Sequence, residues 1–256
     1  MSNALRILFI SGEVTPFTPS SEIGGIVRTL PEQLHESGKY ETRIMMPRYG
    51  IISERRNRLH EVIRLSGSEI AVDDQTQTLK VKVASIPGIR LQVYFMDNVH
   101  FFKRKGIVAG KDGVVFPDNA ERSMYFCKAA FETIKNLGWQ PDLVHSFGWA
   151  SSFAPLLLKS ELAEEPLFQS AKIVYTPDRV NADPDLTADR CEAMGLPSEL
   201  VGKTLDEIGS AYADAVIHPA SANGSAKETR FGKDPESFMD TANPVYEQLV
   251  GVTEQA

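Results

Sequence analysis

The sequence predicts an α/β fold built on a mostly parallel β-sheet, and two observations support this prediction. Apolar runs of strand length, such as residues 6–11, are not interrupted by polar residues, which is typical of strands buried on both faces. These runs alternate with longer helical patterns, as in βαβ units. The 256 residues, with 42% hydrophobic and 24% charged side chains, are enough for one sizeable core.

The chain is predicted to open with a strand, a loop and a helix. The strand covers residues 6–11, because the apolar run stops at Gly12, and a helical pattern covers residues 22–35 after a proline-rich loop. Ser20 or Ser21 is placed to cap this helix, since a hydroxyl oxygen accepts from the free N–H groups of a first turn.

The middle of the chain predicts β-hairpins added to the main sheet. Between residues 59 and 95 there are short β-like pieces, at 79–84 and 91–96, separated by polar turns. A long amphipathic helix follows over residues 118–137, and Gly138 is placed to end it.

The remaining pattern returns to alternating strands and helices. The other predicted elements are strands at residues 42–46, 142–145, 172–175 and 215–217 and helices at residues 151–159 and 205–213. Beyond about Gly224 the sequence carries no strong pattern. Because ligands bind at the carboxyl ends of parallel strands, we expect the chemistry in the loops at residues 12–21, 146–150 and 176–181.

Composition and charge argue against several classes of protein. The formal net charge of −7 disfavours a nucleic acid or an anionic membrane as the main partner, because both need a basic surface. No apolar stretch approaches a membrane span, and no signal-peptide pattern is visible. Two cysteines, Cys127 and Cys191, fit a reducing compartment. We therefore expect a cytoplasmic protein with no nucleic-acid partner and no membrane partner.

Generic motifs for cofactors and metals are absent from the sequence. There is no dinucleotide-binding fingerprint after the first strand and no P-loop, and the five histidines lack the spacing of a metal site. We therefore predict no cofactor and no metal, and we assign no catalytic residue.

Two weak signals for anion binding remain. Gly24 and Gly25 open the first helix, where backbone N–H groups could cradle an anion. The densest basic cluster, at residues 48–58, could bind phosphate or the acidic patch of a partner. Glu54 and Glu61 are interleaved with it, which favours a solvated, salt-bridged surface.

Six strings, in order along most of the chain, point to one protein family. They are SGEVTPF at residues 11–17, MPRYG at 46–50, YFMDN at 94–98, PDNAER at 117–122, LGWQPDLVH at 137–145 and YADAV at 212–216. Together they resemble the bacterial glycogen synthases and plant starch synthases from residue 5 to about residue 226. The sequence is therefore identified as a relative of that family.

The resemblance implies a retaining glucosyltransferase of the GT-B type, with two Rossmann-like domains and a cleft between them. Such an enzyme transfers glucose from ADP-glucose or UDP-glucose to the non-reducing end of an α-1,4-glucan. The sequence resembles only the N-terminal, acceptor-side half. We expect one doubly wound Rossmann-like domain with a β-hairpin insert at residues 1–230, a C-terminal tail at residues 231–256, and no nucleotide-binding half.

The first departure from the family pattern lies in the loop before the first helix. The family string TPFAKTGGLADVVGALP can be laid on residues 15–31 without a gap. Its lysine then falls on Pro19, and its two glycines fall on Ser21 and Glu22. A gapped alignment recovers the glycines but places the lysine on Glu22. Either way the cation is lost and a carboxylate lies where a diphosphate would bind, which repels it.

The second departure lies at residues 144–151, where the family has VHAHDWQT. His145 and Trp149 are kept. Phe147 and Gly148 replace a histidine and an aspartate, so we expect both polar contacts to be lost. Trp149 could stack on a sugar or pack in the core, and a histidine at a strand end is more often a scaffold residue than a ligand.

The third departure lies at residues 176–180, where the family has TIHNL. Asp178 and Arg179 replace its histidine and asparagine, and they could pair with each other or offer new polar groups. The candidate ligand-binding residues are therefore Ser20, Ser21, Gly24, Gly25, His145, Trp149, Asp178 and Arg179.

Three hypotheses follow. The favoured one is a degenerate relative, a pseudoenzyme, that binds a glucan or a protein and does not transfer glucose by itself. An α-1,4-glucan is its candidate ligand, and binding of ADP-glucose or UDP-glucose is in doubt. The second hypothesis is an active transferase subunit whose nucleotide-binding domain comes from a second polypeptide. The third is a globular remnant with only a structural role.

Overall fold

Strands and helices alternate along the residues that this computed structural model describes, which are 4–178, 180, 182, 186–222 and 227–251. The strands are β1 (Leu5–Ser11), β2 (Tyr40–Pro47), β3 (His60–Glu61), β4 (Glu69–Val72), β5 (Gln75–Thr78), β6 (Lys80–Ser85), β7 (Gln92–Asp97), β8 (Leu143–Phe147), β9 (Lys172–Thr176) and β10 (Ala215–Val216). The helices are α1 (Glu22–Glu36), α2 (Glu54–Asn57), α3 (Val99–Phe102), α4 (Asn119–Leu137), α5 (Phe153–Lys159), α6 (Ala188–Ala193), α7 (Leu205–Tyr212) and α8 (Phe238–Val250).

Eight strands form one sheet in the order β10-β9-β8-β1-β2-β7-β6-β3. Every neighbouring pair from β10 to β7 is parallel, and β6 and β3 extend the sheet in antiparallel orientation. Strands β4 and β5 form a separate ladder. The predicted α/β fold with a mostly parallel sheet is therefore confirmed, and the predicted hairpin pieces correspond to β6 and β7.

The order in which strands are added to the sheet reverses at β1. Strand β1 pairs with β2 on one side, with Ile7 opposite Thr42, and with β8 on the other, with Phe9 opposite His145. All five residues of β8 are buried, as expected for a strand covered on both faces. In a doubly wound sheet such a reversal opens a crevice beyond the carboxyl ends of the two strands.

The two longest helices have the ends that the sequence indicated. Ser21 caps α1, and its Oγ accepts from Gly24 N at 3.0 Å. Gly138, with a φ of 60°, ends α4 in the left-handed conformation that glycine adopts without strain. No helix in the described part of the chain is both long and apolar enough to cross a lipid bilayer.

Helix α8 lies in the segment for which the sequence showed no strong pattern, and the structure corrects that reading. The helix packs against α1, where Gln33 donates to Pro235 O at 3.0 Å and accepts from Met239 N at 3.2 Å. Its buried face consists of Phe238, Ala242 and Tyr246. Pro244 lies inside the helix and conceals it in the sequence, because an interior proline normally predicts a helix end.

Candidate functional site

The loops after β1, β8 and β9 meet at one edge of the sheet. Gly12 lets the first two loops touch, because a Cβ at this position would lie 2.8 Å from the Cβ of Ala150. The loop after β8 is tied to the end of β9, where Gly148 N donates to Thr176 O at 2.8 Å. The described parts of the three segments in which we expected chemistry therefore lie together where a crevice is expected.

Ser21 and Glu13 form a hydrogen-bonded pair in the first loop. The Ser21 hydroxyl donates to the Glu13 carboxylate while its oxygen caps α1. Burial raises the pKa of Glu13, and the hydrogen bond from Ser21 offsets only part of that rise. Ser20 is exposed immediately before the cap. The Ser21 side chain is therefore engaged within the fold.

Glu22 fastens the start of α1 to the loop after β10. Its Oε1 accepts from Ala220 N at 2.5 Å and from Ser221 N at 3.3 Å, and its Oε2 accepts from the Ser221 hydroxyl. Because a carboxylate is favoured in the first turn of a helix, this position also stabilises α1. The acid that alignment places at the family's diphosphate position thus has a structural role.

The two glycines of α1 have different surroundings. Gly24 packs closely: its carbonyl accepts from Thr15 N at 3.1 Å, and a Cβ there would lie 3.0 Å from Thr15 Oγ1. Gly25 borders a cavity of about 620 Å³, and a Cβ at Gly25 would meet no atom within 4 Å. The cations that line this cavity are Arg28 and Lys233.

His145 is fully buried and links three elements. Its Nδ1 lies 2.5 Å from the Tyr246 hydroxyl of α8, and its Nε2 lies 2.8 Å from Thr176 Oγ1 at the end of β9. Burial holds the pKa of His145 well below its usual value, so the ring is neutral. Both ring nitrogens are engaged inside the protein, and neither is available to a ligand.

Trp149 is 2% exposed, so its ring offers no open face to a sugar. The guanidinium of Arg122 lies 5.4 Å from the centre of that ring. Arg122 is itself buried and donates to Phe101 O at 2.9 Å and to Ile107 O at 2.7 Å. The packing interpretation therefore accounts for Trp149, and Arg122, the last residue of the PDNAER string, packs against its ring.

Gly148 and Asp178 are in direct contact across β8 and β9. Asp178 Oδ2 accepts from Trp149 N at 3.1 Å and lies where a side chain on residue 148 would begin. Gly148 has a φ of 70°, so both its backbone and its surroundings require glycine. The family's acid is absent from position 148, and the carboxyl group of Asp178, from the loop after β9, occupies the space beside it.

The carboxyl group of Asp178 is held in a place that disfavours negative charge. Burial, together with the charges of Asp206 and Glu13, raises the pKa of Asp178 to about 7, although backbone N–H groups of Val180 and Trp149 donate to it. Arg179, the other candidate in this loop, lies outside the described residues, and so does its expected pairing with Asp178.

A larger cavity, of about 730 Å³, lies where β9 and β10 end, and sequence reasoning missed it. Its wall is mainly apolar and its rim is charged. The residues that define it are Leu200, Ile208 and Tyr212 on the wall and Glu199, Lys203, Glu207 and His218 on the rim. These side chains carry no motif, because the cavity forms only when α7 packs beside the strand ends.

Within the described ranges, no three His, Cys, Asp or Glu side chains are grouped to hold a metal ion.

Comparison with known proteins places the chain in a family. The profile of the starch synthase catalytic domain matches residues 6–217. The chain belongs to that family. The chain is also similar to the catalytic domain of starch synthase IV from Arabidopsis thaliana, solved with ADP and acarbose. The TM-score is 0.71 at 20% identity over 96% of this chain and 50% of that one, which shows a shared fold.

Several curated relatives are glycogen synthases. The protein from Chlorobium limicola is 40% identical over 172 residues, and that from Chlorobaculum tepidum is 39% identical over the same length. Each alignment covers 67% of this chain and 35% of the relative. The chain thus spans about a third of the length of these starch synthase family members.

Proposed function

We propose that this starch synthase family domain binds an α-glucan and does not transfer glucose from a nucleotide sugar by itself. The observation that carries the proposal is the chemistry of the crevice. Glu13 and Asp178 are carboxyl groups whose pKa values are raised, mainly by burial. A place that disfavours a carboxylate disfavours a diphosphate for the same reason.

The loss of the family's basic loop supports the same conclusion. Neither alignment leaves a lysine there, and Glu22 is committed to the loop after β10. A departing diphosphate needs cations or oriented N–H groups to stabilise it in the transition state. Asp178 stands where the family pattern has a histidine, and in the gapped alignment Glu22 stands where it has the lysine.

A glucan, being neutral, does not incur that electrostatic cost. The cavity at the ends of β9 and β10 combines an apolar wall with a polar rim, which suits the faces and hydroxyl edges of sugar rings. Tyr212 is its one aromatic wall residue among those described. We therefore assign the glucan to this cavity rather than to Trp149.

The second candidate function is an active transferase completed by a second polypeptide. Arg28 and Lys233 favour it, because both line the cavity beside Gly25 and could replace the lost lysine. Such a partner would need an interface of about 1,000 Å² or more with this domain.

Glucosyl transfer separates the two candidates. The purified chain is mixed with glycogen and radiolabelled ADP-glucose or UDP-glucose, with heat-killed protein as the control. We expect incorporation equal to the control for both donors, together with retention of the chain on a glycogen column. Incorporation well above the control would overturn the first proposal, and failure to bind glycogen would overturn the glucan assignment.

The Tyr212→Ala variant tests where the glucan binds. Loss of one aromatic stacking surface is expected to weaken maltoheptaose binding about 3- to 10-fold. Tyr94→Ala is the matched control, because Tyr94 lies on β7 and contacts Arg43 away from the cavity. Equal affinity for the two variants, measured by calorimetry, would remove the glucan from this cavity.

A further inference from the structure

A separate cavity of about 400 Å³ lies at the same edge of the sheet, beyond the ends of β2 and β7 and beside the start of β6. Its size falls within the range of small-molecule sites, about 300–1,000 Å³. Neither the crevice nor the glucan cavity shares a lining residue with it. It is therefore a distinct place in the molecule, and an inference about it stands apart from the proposed function.

The floor of this cavity is a chain of alternating charges. Lys82 Nζ lies 2.7 Å from Glu54 Oε1 and 2.7 Å from Asp97 Oδ2, and Arg48 pairs with the same Glu54 oxygen. The side chains of Lys82, Asp97 and Arg48 are 12%, 13% and 15% exposed, so the network is held by packing as well as by charge. The Nε of Arg48 is buried and has no hydrogen-bond partner.

The exposed rim of the cavity adds cations that are not neutralised by the carboxylates of its floor. Lys80 and Lys103 line the cavity and are exposed, and neither has a carboxylate within 4.0 Å among the residues that the structure describes. His100 lies on the same rim. In total, four lysine and arginine side chains face two carboxylates, in a chain whose net charge is −7. A concave site with this excess of positive charge attracts anions.

We propose that this cavity binds a phosphate monoester. Such a group carries a charge of about −1.5 to −2 at neutral pH and accepts several hydrogen bonds, which matches a cavity lined by two lysines that no carboxylate of the described residues neutralises. The salt-bridged network fixes the cations of the floor, so a ligand would order only the two rim lysines. The phosphate comes either from a free sugar phosphate or from a phosphate group esterified to a glucan.

Calorimetric titration of the full chain with glucose 6-phosphate tests the proposal, with glucose and inorganic phosphate as comparison ligands. We expect saturable binding of glucose 6-phosphate, competition by inorganic phosphate and none by glucose. The double variant Lys80→Gln/Lys103→Gln is expected to bind at least about tenfold more weakly, because two charge-assisted contacts are lost. Both lysines are exposed, so the variant should fold.

The matched control removes the same charge from the opposite edge of the sheet. Lys39 and Lys172 are exposed at the amino ends of β2 and β9, and Lys39→Gln/Lys172→Gln should bind glucose 6-phosphate like the parent chain. Equal affinities for the two double variants, or no saturable binding of any phosphorylated probe, would overturn the proposal. A parallel titration with maltoheptaose 6-phosphate identifies the source: tighter binding than glucose 6-phosphate indicates a phosphorylated glucan, and weaker or equal binding indicates a free sugar phosphate.

Discussion

Gly148 and Asp178 show how a carboxyl group can reach one place from either of two neighbouring strands. The family string carries its acid before the tryptophan, directly after β8, whereas in this chain a carboxyl group reaches that place from the loop after β9. The sequence alone could not show this, because the two residues lie 30 positions apart and meet only through the β8–β9 register. The sequence shows that the family's aspartate is absent from position 148. Only the fold shows that the Asp178 carboxyl group lies beside this position.

The contact between these residues predicts an unusually costly glycine substitution. Gly148→Ala places a methyl group against the Asp178 carboxyl group and forces alanine to a φ of 70°. We expect a loss of about 2–4 kcal/mol in the free energy of unfolding, measured by urea denaturation.

Gly138→Ala is the control for backbone strain alone. Gly138 has a φ of 60°, and a Cβ there would meet no atom within 4 Å, so only about 1–2 kcal/mol should be lost. Equal losses for the two variants would show that Asp178 does not pack against residue 148.

The raised pKa of Asp178 predicts how stability depends on pH. The unfolded chain releases this proton near pH 4, and the folded chain holds it until about pH 7. In that window the folded state binds more protons, so the free energy of unfolding falls as pH rises, by at most about 1.4 kcal/mol per pH unit. Asp178→Asn should flatten this part of the profile, measured by urea denaturation between pH 4.5 and 8. If Asp178→Asn and the exposed control Asp112→Asn give the same profile, the titrating group is not Asp178.

At the scale of the element, the predictable parts of the fold are those with a strong local pattern. Strand β1, helix α1 and helix α4 lie within one residue or so of their predicted bounds, because apolar periodicity and end signals agree there. Helix α8 was not predictable in the same way. Pro244 interrupts its pattern, and its burial depends on α1, which is distant in sequence.

A hydrogen bond between Tyr246 and His145 ties helix α8 to strand β8, and its contribution to stability can be tested. Tyr246→Phe leaves the buried Nδ1 of His145 without its partner, which should cost about 1–3 kcal/mol in the free energy of unfolding. Tyr94→Phe removes a partly exposed hydroxyl that accepts from Arg43, and we expect it to cost less than about 1 kcal/mol. Urea denaturation of both variants makes the comparison. Equal costs would mean that α8 does not depend on the bond to His145.

At the scale of the whole molecule, the edge of the sheet at which the parallel strands end differs in charge from one part to another. Carboxyl groups border the crevice at β1 and β9, whereas the cavity beyond β2 and β7 has an excess of cations. The strings that depart from the family pattern lie in loops that the structure brings together at this edge. They could not show which side chains are buried there, because Trp149 and His145 keep their family positions while packing inside the protein.

The central claim is that this domain binds a neutral glucan, in the cavity at the ends of β9 and β10, while its crevice disfavours a nucleotide diphosphate. Calorimetric titration of one protein sample with ADP and with maltoheptaose tests it most directly. We predict saturable binding of maltoheptaose and no saturable binding of ADP up to about 1 mM, which corresponds to a binding free energy weaker than about −4 kcal/mol. Saturable micromolar binding of ADP to this chain would contradict the account.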